Sequence, residues 1–394
     1  MLKVDVDLKS ELESLLAESV GDAKDRESKA FDEVAAPGSE LVLFGAGNLG
    51  RRTLTGLRKI GIEPRCFVDN NSSRWGLSLE GLPLIGPEDA ARLYGSRATF
   101  VVSIWGALGN DRMSTRVEQL RRLGCQSVTT FVPLYWKFPG LFLPHYTVDL
   151  PHHVHLESDR IRDAFSLLAD DTSRHEFLAQ MKFRLQGDFA ALPPPVEGPI
   201  YFREELFHIG DKETLVDCGA FDGDTLDLFL KTKASSFDRI IAFEPDPDNF
   251  AKLSNLVNTL RIEIRNKITL YQAATGAVQE RVKMEIGSGP SSHLGGGECE
   301  VECLTLDSIL REVPVTFIKM DIEGSELATL AGARDSLRRD SPILAISAYH
   351  RQSDLWNIPL LIHEINPGYS FYLRPHMLEG WDLVCYAVPS NRLR

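Results

Sequence analysis

The sequence has few of the features that mark membrane proteins, disulfide-stabilised proteins or nucleic-acid-binding proteins. None of its six cysteines forms a CxxC pair, and no uninterrupted apolar run reaches the roughly 20 residues that a helix needs to cross a bilayer. Acidic residues outnumber basic ones by 56 to 43, and the net charge of −13 disfavours a nucleic-acid partner, which requires a clustered basic surface. The N-terminus alternates charge with leucine, unlike a signal peptide. We therefore expect a reduced protein of the cytoplasm.

What the sequence does contain is typical of a large globular α/β protein. Hydrophobic residues make up 43% and charged residues 25% of the chain, so a sizeable core can be buried, and 394 residues suggest two or three domains. Strands alternating with helices predict two Rossmann-like units with parallel sheets. The predicted segments are an N-terminal helical segment over 1–38, a first α/β unit over 39–132, a helical, proline-rich connection over 133–199 and a second α/β unit over 200–394.

The first α/β unit opens with a glycine turn between a strand and a helix. The pattern Gly45-x-Gly47-x-x-Gly50 follows a strand at 40–44, and Asp69 ends the next strand about 20 residues on, as in a dinucleotide-binding fingerprint. Taken alone this predicts NAD binding, but the unit lacks a second half and a companion dehydrogenase domain. The segment through Asp69-Asn70 and residues 81–88 looks like the small Rossmann-like domains attached to sugar-modifying enzymes. We therefore rank a nucleotide or nucleotide-linked sugar first, a purely structural domain second and NAD chemistry third. The residues expected at this site are Gly45, Gly47, Asn48, Gly50 and Asp69.

The second α/β unit opens with a more informative constellation. A hydrophobic strand at 214–218 contains Asp217 and runs into a turn with Gly219 and Gly223, where missing Cβ atoms would let a ligand approach the backbone. The spacing is not GxGxxG, so pyrophosphate is not indicated, and an acid before the first glycine suits a ligand that carries a cation. The next strand ends in Glu244, which can accept both ribose hydroxyls. This pattern predicts S-adenosylmethionine (SAM). The residues expected to bind it are Asp217, Gly219, Ala220, Phe221, Gly223, Asp224, Glu244, Pro245, Gln272 and Ala273.

Over residues 200 to 390 the sequence resembles the FkbM family of SAM-dependent methyltransferases. The motifs that carry the resemblance are Val216-Asp217-Cys218-Gly219-Ala220, Phe243-Glu244-Pro245, Leu306-Asp307, the stretch 317–326, Ala348-Tyr349-His350, the stretch 354–359 and Tyr372-Leu373-Arg374. The resemblance implies a class I methyltransferase sheet of seven strands with the last strand antiparallel. It also implies methylation of a hydroxyl oxygen, since many members act in sugar, polysaccharide or polyketide pathways.

Four polar residues near two strand ends are the candidates for the chemistry. Lys319, Asp321 and Glu323 alternate, so we expect them to project to one side of a strand, and His350 follows the next strand. Our hypothesis is that His350 or Asp321 takes the proton of the acceptor, while Lys319 orients a carboxylate or the substrate. Glu323 precedes a helix predicted over 326–337, so capping of that helix is its alternative role.

Metal binding is not predicted from the spacing. Asp321, Glu323 and His350 could converge on a cation, but nothing in their spacing requires one, and His152, His153 and His155 lie in the connection without a defined zinc geometry. A β-like insertion is expected over 281–304. Its polar stretch 288–293 is expected to be flexible and to form a lid over the acceptor, as the equivalent stretch of the family suggests.

Three functions stay open at this point. The first is a SAM-dependent O-methyltransferase that acts on a small molecule, a sugar, a nucleotide-linked sugar or a related metabolite, with no nucleic-acid partner and an undetermined oligomeric state. The second is a non-catalytic nucleotide-binding or scaffold protein, against which the intact Asp217, Gly219, Glu244 and Asp321 argue. The third is an NAD-dependent sugar oxidoreductase, which the absence of a Tyr-x-x-x-Lys pair beside the first unit disfavours.

Overall fold

The chain forms two compact units whose residues are interleaved along the sequence. The computed structural model describes residues 2–35, 38–106, 112–233, 236–285, 293–294 and 299–394. The N-terminal unit comprises Met1–Asp159, His175–Pro195 and Met377–Trp381, and the C-terminal unit comprises Arg160–Arg174, Val196–His376 and Asp382–Arg394. The segment 133–199, which the sequence analysis separates as a connection, is therefore divided between the two units.

The N-terminal unit is built on a mainly parallel sheet. The strands are β1 Glu40–Phe44, β2 Phe67–Val68, β3 Ser78–Leu79, β4 Leu82–Ile85, β5 Ala98–Val102 and β6 Ser127–Thr130. The first helices of the chain are α1 Leu2–Leu16, α2 Val20–Lys29, α3 Asn48–Lys59, α4 Pro87–Tyr94, α5 Met113–Arg122, α6 Phe131–Lys137, α7 Pro139–Phe142, α8 Pro151–Leu156, α9 Ser158–Leu167 and α10 Asp171–Gln186. Most of α9 and the first turn of α10 belong to the C-terminal unit. The sheet order is β3-β4-β2-β1-β5-β6, and only the β3–β4 pair among these described strands is antiparallel.

The central strands of this sheet are continuous apolar runs because helices cover both of their faces. β5 is buried at every position and β1 at every position after Glu40. Such runs are typical of parallel strands, which lack the alternation of a strand with one wet face. The alternating strands and helices confirm the α/β class predicted for this unit.

The C-terminal unit contains the larger sheet. Its strands are β7 Thr214–Cys218, β8 Arg239–Phe243, β9 Ile268–Tyr271, β10 Ala274–Thr275, β11 Glu280–Glu285, β12 His293–Leu294, β13 Cys299–Leu304, β14 Phe317–Met320, β15 Ile343–Ser347, β16 Tyr369–Pro375 and β17 Leu383–Pro389. Its helices are α11 Asp224–Lys233, α12 Pro247–Thr259, α13 Ile262–Arg265, α14 Leu306–Ile309, α15 Glu326–Ala331, α16 Arg334–Asp340 and α17 Asp354–Ile365. Short 3₁₀ helices in the chain lie at Ser72–Arg74, Phe189–Ala191, Leu378–Gly380 and Ser390–Arg392.

The seven-stranded sheet has the order β16-β17-β15-β14-β7-β8-β9. The five strands from β15 to β9 run parallel, whereas β17 is antiparallel to both β15 and β16. This confirms the expected seven-stranded methyltransferase sheet with its last strand antiparallel. None of the helices among the described residues is long and apolar enough to cross a membrane.

The predicted β-like insertion forms a second, small sheet. Its order is β10-β13-β11-β12, with β10 and β13 parallel and the other pairs antiparallel. Within the polar stretch expected to be a lid, residues 288–292 lie outside the described residues, and residue 293 begins β12. The lid therefore stays a prediction.

The single helix predicted over 326–337 is wrong, because two helices, α15 and α16, occupy that part of the chain. The break falls at Gly332, where a Cβ atom would lie 2.1 Å from the carbonyl oxygen of Gly276. Gly276 follows β10, so the small sheet approaches the helix pair through backbone atoms at this point. The spacing of apolar residues along a helix cannot predict a contact with a distant segment such as Gly276.

Candidate active site in the C-terminal unit

The residues predicted to act in the C-terminal unit gather at one edge of its sheet. Because β7, β8, β9, β14 and β15 are parallel, their carboxyl ends lie side by side, which is where ligands bind in open α/β sheets. Glu244 follows β8, Gln272 follows β9, Asp321 follows β14 and His350 lies three residues beyond β15. The topology therefore brings together residues from four chain segments.

The loop after β7 is tied to the end of β8 by backbone hydrogen bonds. The N–H groups of Gly219 and Ala220 both donate to the carbonyl oxygen of Phe243, at 3.0 and 2.9 Å. The N–H of Phe221 donates to Glu244 Oε2 at 2.8 Å, and Phe221 itself adopts a positive φ of 48°. The loop is thus held in one conformation against the carboxylate that the sequence analysis assigns to the ribose.

The two glycines of this loop are required for a reason other than the one expected. Gly219 has a φ of +79° and its Cβ would lie 1.9 Å from the carbonyl oxygen of Asp321, while Gly223 has a φ of +98° and its Cβ would lie 2.5 Å from Leu256. The atoms that exclude a side chain therefore belong to the protein itself. The glycines allow a left-handed backbone and close approach between chain segments, rather than leaving room for a ligand.

Glu244 accepts one backbone hydrogen bond on each of its carboxylate oxygens. Its Oε1 accepts from the N–H of Asp246 at 2.9 Å and its Oε2 from that of Phe221, so each oxygen keeps a lone pair for a hydroxyl donor. Burial raises the pKa of Glu244 to about 7 and the charge of Asp246 acts in the same direction, whereas the two N–H groups and Lys319 act against it. Asp246 instead caps α12, accepting from the N–H groups of Asp248 and Asn249.

Asp217 and Lys319 form a buried ion pair beneath the loop. The two residues are opposite each other in the β7–β14 pairing, and Lys319 Nζ lies 3.0 Å from Asp217 Oδ1 and donates to the carbonyl oxygen of Gly219 at 2.7 Å. Their side chains are 0% and 3% exposed. Asp217 was predicted to bind the cofactor and Lys319 to be catalytic, but in this geometry the pair fixes the position of the loop after β7.

Both members of this pair have perturbed pKa values. Burial raises the pKa of Asp217 to about 6, although Lys319 acts in the opposite direction. Burial acts to lower the pKa of Lys319, but the carboxylates of Asp217, Asp321 and Asp224 outweigh it and raise that pKa above its ordinary value. Lys319 is therefore a permanent cation at this edge of the sheet.

The expectation that Lys319, Asp321 and Glu323 project to one side of a strand is wrong. β14 ends at Met320, so the alternation of a pleated strand does not continue to the two acids, and Glu323 has a positive φ of 53°. Lys319 points toward Asp217, whereas Asp321 turns toward His350.

Asp321 is the centre of a polar cluster. Its Oδ2 accepts from the hydroxyl of Tyr201 at 2.9 Å and its Oδ1 from that of Tyr349 at 3.3 Å, and His350 Nε2 lies 3.3 Å from Oδ1. Burial would raise the pKa of Asp321, but His350 and Lys319 outweigh it and hold that pKa below its usual range. The side chain is 25% exposed, so an ionised carboxylate faces the edge of the sheet.

His350 lies enclosed by carboxylates. Its Nδ1 is 2.8 Å from Glu326 Oε1, and its Nε2 is 3.9 Å from Glu323 Oε2 in addition to the Asp321 contact. Burial acts to lower the pKa of the imidazole, but Glu326, Asp321 and Glu323 raise it to about 10. A ring that already carries a proton is disfavoured as a general base, which leaves Asp321 as the better of the two predicted proton acceptors.

Glu323 and Asp382 add two further acids to this cluster. Burial raises the pKa of Glu323 to about 7, and burial together with Asp321 raises that of Asp382 to about 6. The capping alternative for Glu323 finds no support in the described contacts, because the N–H of Ile322 donates to Glu326 Oε1 instead. Glu323, with a side chain 24% exposed, is thus available at the edge of the sheet.

Four members of the cluster were not expected from the sequence: Tyr201, Glu326, Tyr349 and Asp382. Glu326 and Tyr349 lie in sequence motifs shared with the FkbM family, close to residues that were predicted, and this closeness could have identified them. Tyr201 and Asp382 offered none, because they lie 120 and 61 residues from Asp321 in the chain.

The other predicted cofactor residues surround the same edge. Asp224 begins α11 and accepts from the N–H of Thr225, and Pro245 precedes the cap of α12. Gln272 is exposed and Ala273 is buried after β9. The rings of Phe243 and Tyr271 stack with centroids 5.0 Å apart at the ends of β8 and β9. These positions are consistent with an adenine beyond Glu244, which stays a prediction.

In the N-terminal unit the predicted glycine turn lies between β1 and α3. Gly45 has a φ of +128°, and a Cβ on Gly50 would lie 1.9 Å from the carbonyl oxygen of Gly45, whereas a Cβ on Gly47 would meet no atom within 4 Å. Gly47 is the N-cap of α3, which begins at Asn48. The first and third glycines are thus needed by the fold, and the second faces open space.

Asp69 in this unit is already engaged by its neighbours. Its Oδ2 pairs with Arg74 Nη1 at 2.7 Å and its Oδ1 accepts from the N–H of Asn71 at 2.9 Å. Arg74 also reaches the carbonyl oxygen of Ala46 in the glycine turn. A guanidinium group therefore accompanies the acid at the carboxyl ends of β1 and β2.

The comparisons with known proteins identify the chemistry of the C-terminal unit. Residues 217–371 match the model of the methyltransferase FkbM domain. The crystal structure of the methyltransferase FkbM from Methylobacillus flagellatus KT is similar to this chain with a TM-score of 0.78 and 27% identity, covering 98% of this chain and 99% of that one. Residues 217–371 of the C-terminal unit are therefore similar to methyltransferase FkbM domains, and the cofactor of this methyltransferase is SAM.

Other solved structures are similar only at the level of a weak likeness. A putative rRNA-methylase from Clostridium thermocellum has a TM-score of 0.30 and 10% identity, covering 48% of this chain and 90% of that one. A SAM-dependent methyltransferase from Aquifex aeolicus has a TM-score of 0.28 and 14% identity, covering 45% and 84%. No curated protein matches the chain.

Proposed function

We propose that the protein transfers the methyl group of SAM to a hydroxyl oxygen of a small acceptor, a sugar or a related metabolite. The observation that carries the proposal is the position of the Asp321 carboxylate. The N–H of Asp321 donates to the carbonyl oxygen of Cys218 at 3.1 Å, so this acid directly adjoins the loop after β7. A partly exposed, ionised carboxylate beside the cofactor loop suits an acceptor that must lose a proton.

The residues of the site divide the work between binding and proton removal. When bound, SAM supplies a methyl group on a sulfonium, whose transfer breaks the S–C bond, leaves the electron pair on sulfur and forms an O–C bond. Glu244 accepts the ribose hydroxyls, and the Asp217–Lys319 pair holds the loop. Asp321 takes the proton from the hydroxyl group of the methyl acceptor, directly or through water. Alignment can supply about 7–11 kcal/mol of the barrier, and a base about 10²–10⁴-fold in rate.

The charge of the site favours a neutral hydroxyl-bearing acceptor. Asp321, Glu323 and Asp382 all lie at this edge, and the lowered pKa of Asp321 keeps at least that carboxylate ionised, whereas burial raises the pKa values of Glu323 and Asp382 to about 7 and about 6. A phosphate or carboxylate placed next to these acids would be repelled, whereas a polyol can donate hydrogen bonds to them. An anionic group of a nucleotide-linked sugar would have to lie away from the reacting hydroxyl.

The first experiment is isothermal titration of the full chain with SAM and its demethylated product, with NAD as the comparison. We expect micromolar binding of both sulfur ligands, and weaker binding in Glu244→Gln but not in Asp248→Asn, an exposed acid on α12. Absence of binding to either sulfur ligand would favour the scaffold function. Tight binding of NAD alone would favour the oxidoreductase.

The proton acceptor is tested by turnover with a panel of hydroxylated acceptors. We expect Asp321→Asn to lose about 10²–10⁴-fold in kcat with SAM binding retained. Asp335→Asn, which changes an exposed acid on α16, should leave kcat unchanged. The assignment fails if Asp321→Asn and His350→Ala both keep wild-type turnover.

For the N-terminal unit, the open space at Gly47 and the guanidinium of Arg74 favour a nucleotide-bearing ligand at the start of α3. A helix N-terminus and an arginine both attract phosphate oxygens. We therefore also propose that this unit binds a nucleotide or nucleotide-linked sugar. Titration with uridine diphosphate sugars should show binding that Arg74→Met weakens and that the exposed-site variant Arg92→Met does not. Equal affinities in the two variants would favour a purely structural unit.

A further inference from the structure

We propose that Asp321, Glu326 and His350 bind a divalent cation of the Mn²⁺ class at the carboxyl edge of the C-terminal sheet. Only the task of this cation, which is to hold the acceptor oxygen, rests on the proposed function. The existence of the site rests on the donor atoms, their burial and their charge.

The three residues offer donor atoms with the spacing of one coordination sphere. One ligand atom from each lies within 4.8 Å of the other two, and no further group of three such residues occurs in the described parts of the chain. Cation–oxygen bonds of about 2.0–2.6 Å place opposite ligands about 4–5 Å apart, so these atoms can share one ion. Within this set, His350 Nε2 lies 3.3 Å from Asp321 Oδ1.

A buried oxygen of Glu326 gives the second, independent observation. Glu326 is 0% exposed, and its Oε1 accepts from the N–H of Ile322 and lies against His350 Nδ1. Its Oε2 is also buried but has no hydrogen-bond partner among the described residues. Burying a carboxylate oxygen without a partner is costly, and coordination to a cation removes that cost.

The charges around the three ligands also favour a cation. Glu323 Oε2 lies 3.9 Å from His350 Nε2, and burial together with the nearby charge of Asp321 raises the pKa of Asp382. The cations that face this cluster are His350, whose ring would lose a proton when it coordinates the ion, and Lys319, whose Nζ is engaged by Asp217 and Gly219. Acids thus outnumber cations at this edge, and a divalent ion would balance them.

The donor types select the class of ion. Carboxylates suit Mg²⁺, Ca²⁺ and Mn²⁺, whereas imidazole suits transition ions, so a mixed set of one imidazole and two carboxylates favours Mn²⁺ over Mg²⁺. The hydroxyls of Tyr201 and Tyr349 hold Asp321 from outside the ligand set, as hydrogen-bonding partners of metal ligands commonly do. Because Asp321 is partly exposed, an open coordination position can face the acceptor and polarise its hydroxyl.

The test is titration of the chelator-treated full chain with MnCl2, followed by the loss of the electron paramagnetic resonance signal of free Mn²⁺. We expect one equivalent to bind, with affinity at least about 10-fold lower in His350→Ala and in Glu326→Gln. His208→Ala, which changes an exposed histidine of the same unit, should bind like the wild type. Absence of stoichiometric binding, or equal affinity in His350→Ala and His208→Ala, overturns the proposal.

Two further measurements separate this proposal from folding defects and from the proposed function. Asp321→Asn changes a partly exposed ligand and should also weaken Mn²⁺ binding, while far-ultraviolet circular dichroism of each variant reports its fold. SAM titration is run on the same samples. SAM binding and methylation that persist in chelator, without Mn²⁺ binding, overturn the cation site alone. Mn²⁺ binding without SAM binding supports the cation site and overturns the proposed function.

Discussion

Removing the buried ammonium group of Lys319 should destabilise the C-terminal unit strongly. In Lys319→Met the carboxylate of Asp217, 0% exposed, loses the cation 3.0 Å away, and the carbonyl oxygen of Gly219 loses its donor at 2.7 Å. Breaking a buried ion pair by removing one partner costs about 3–5 kcal/mol, because it leaves an uncompensated buried charge. We therefore expect a loss of that size in the free energy of unfolding.

A second variant separates the stranded charge from the rest of the loss. In the double variant Asp217→Asn/Lys319→Met neither position of the pair carries a charge, and the remaining cost is that of imperfectly paired polar groups, about 1–3 kcal/mol. The double variant should therefore be more stable than Lys319→Met alone. An exposed ion pair in the same unit provides the control: Lys231→Met, which breaks a contact with Asp227, should cost less than about 1 kcal/mol.

The assay is unfolding in urea, combined with hydrogen exchange read by mass spectrometry. Exchange in peptides that cover β7 and β14 assigns a change in the unfolding midpoint to the C-terminal unit rather than to the N-terminal one. A loss below about 1 kcal/mol in Lys319→Met would refute the reasoning, since that value is typical of an exposed pair. A double variant less stable than the single one would refute it as well.

Three other predictions concern the two glycine turns and the ribose acid. Glu244→Gln should lower SAM affinity about 10- to 100-fold, because charge-assisted hydrogen bonds contribute about 1.5–3 kcal/mol. In the wild type, the SAM affinity measured by calorimetry should rise from pH 6 to pH 8, because hydroxyl donors favour the ionised form of a carboxyl group whose pKa is about 7. A SAM affinity that does not change with pH would contradict this prediction. Gly219→Ala should cost about 1–3 kcal/mol from the positive φ alone and abolish SAM binding; retention of wild-type binding would contradict it. Gly50→Ala should lower the melting temperature through a clash worth about 1–3 kcal/mol, whereas Gly47→Ala, which faces open space, should not; equal melting temperatures would contradict the geometry.

The carboxyl edge of the C-terminal sheet could be predicted because its strands are unbroken apolar runs. β7 has the bounds expected from the sequence, and an acid that follows such a run must lie at the edge where ligands bind. Glu244 and Asp321 were therefore located from local sequence alone. The antiparallel last strand came from the resemblance to the family and not from the strand pattern.

What could not be predicted depends on contacts between distant parts of the chain. Tyr201 reaches Asp321 across 120 residues, and α15 ends at Gly332, where the backbone of Gly276 leaves no room for a side chain. Asp321 and Glu323 do not share the direction of Lys319, because β14 ends at Met320 and pleat alternation stops there. In each case the deciding atom belongs to a segment that local periodicity does not include.

Because residues 160–174 belong to the C-terminal unit, they affect where an expressed fragment of the protein should begin. The chain passes between the units five times, after residues 159, 174, 195, 376 and 381. A fragment beginning near residue 200 would lose the segment whose Ala169 donates to the carbonyl oxygen of Phe371 on β16 and whose Asp170 pairs with Arg374. Since β16 is the outer strand of its sheet, the fragment would present an edge of unpaired N–H and C=O groups on which other copies could add strands. Expressed methyltransferase fragments should therefore begin before α9 to stay monodisperse.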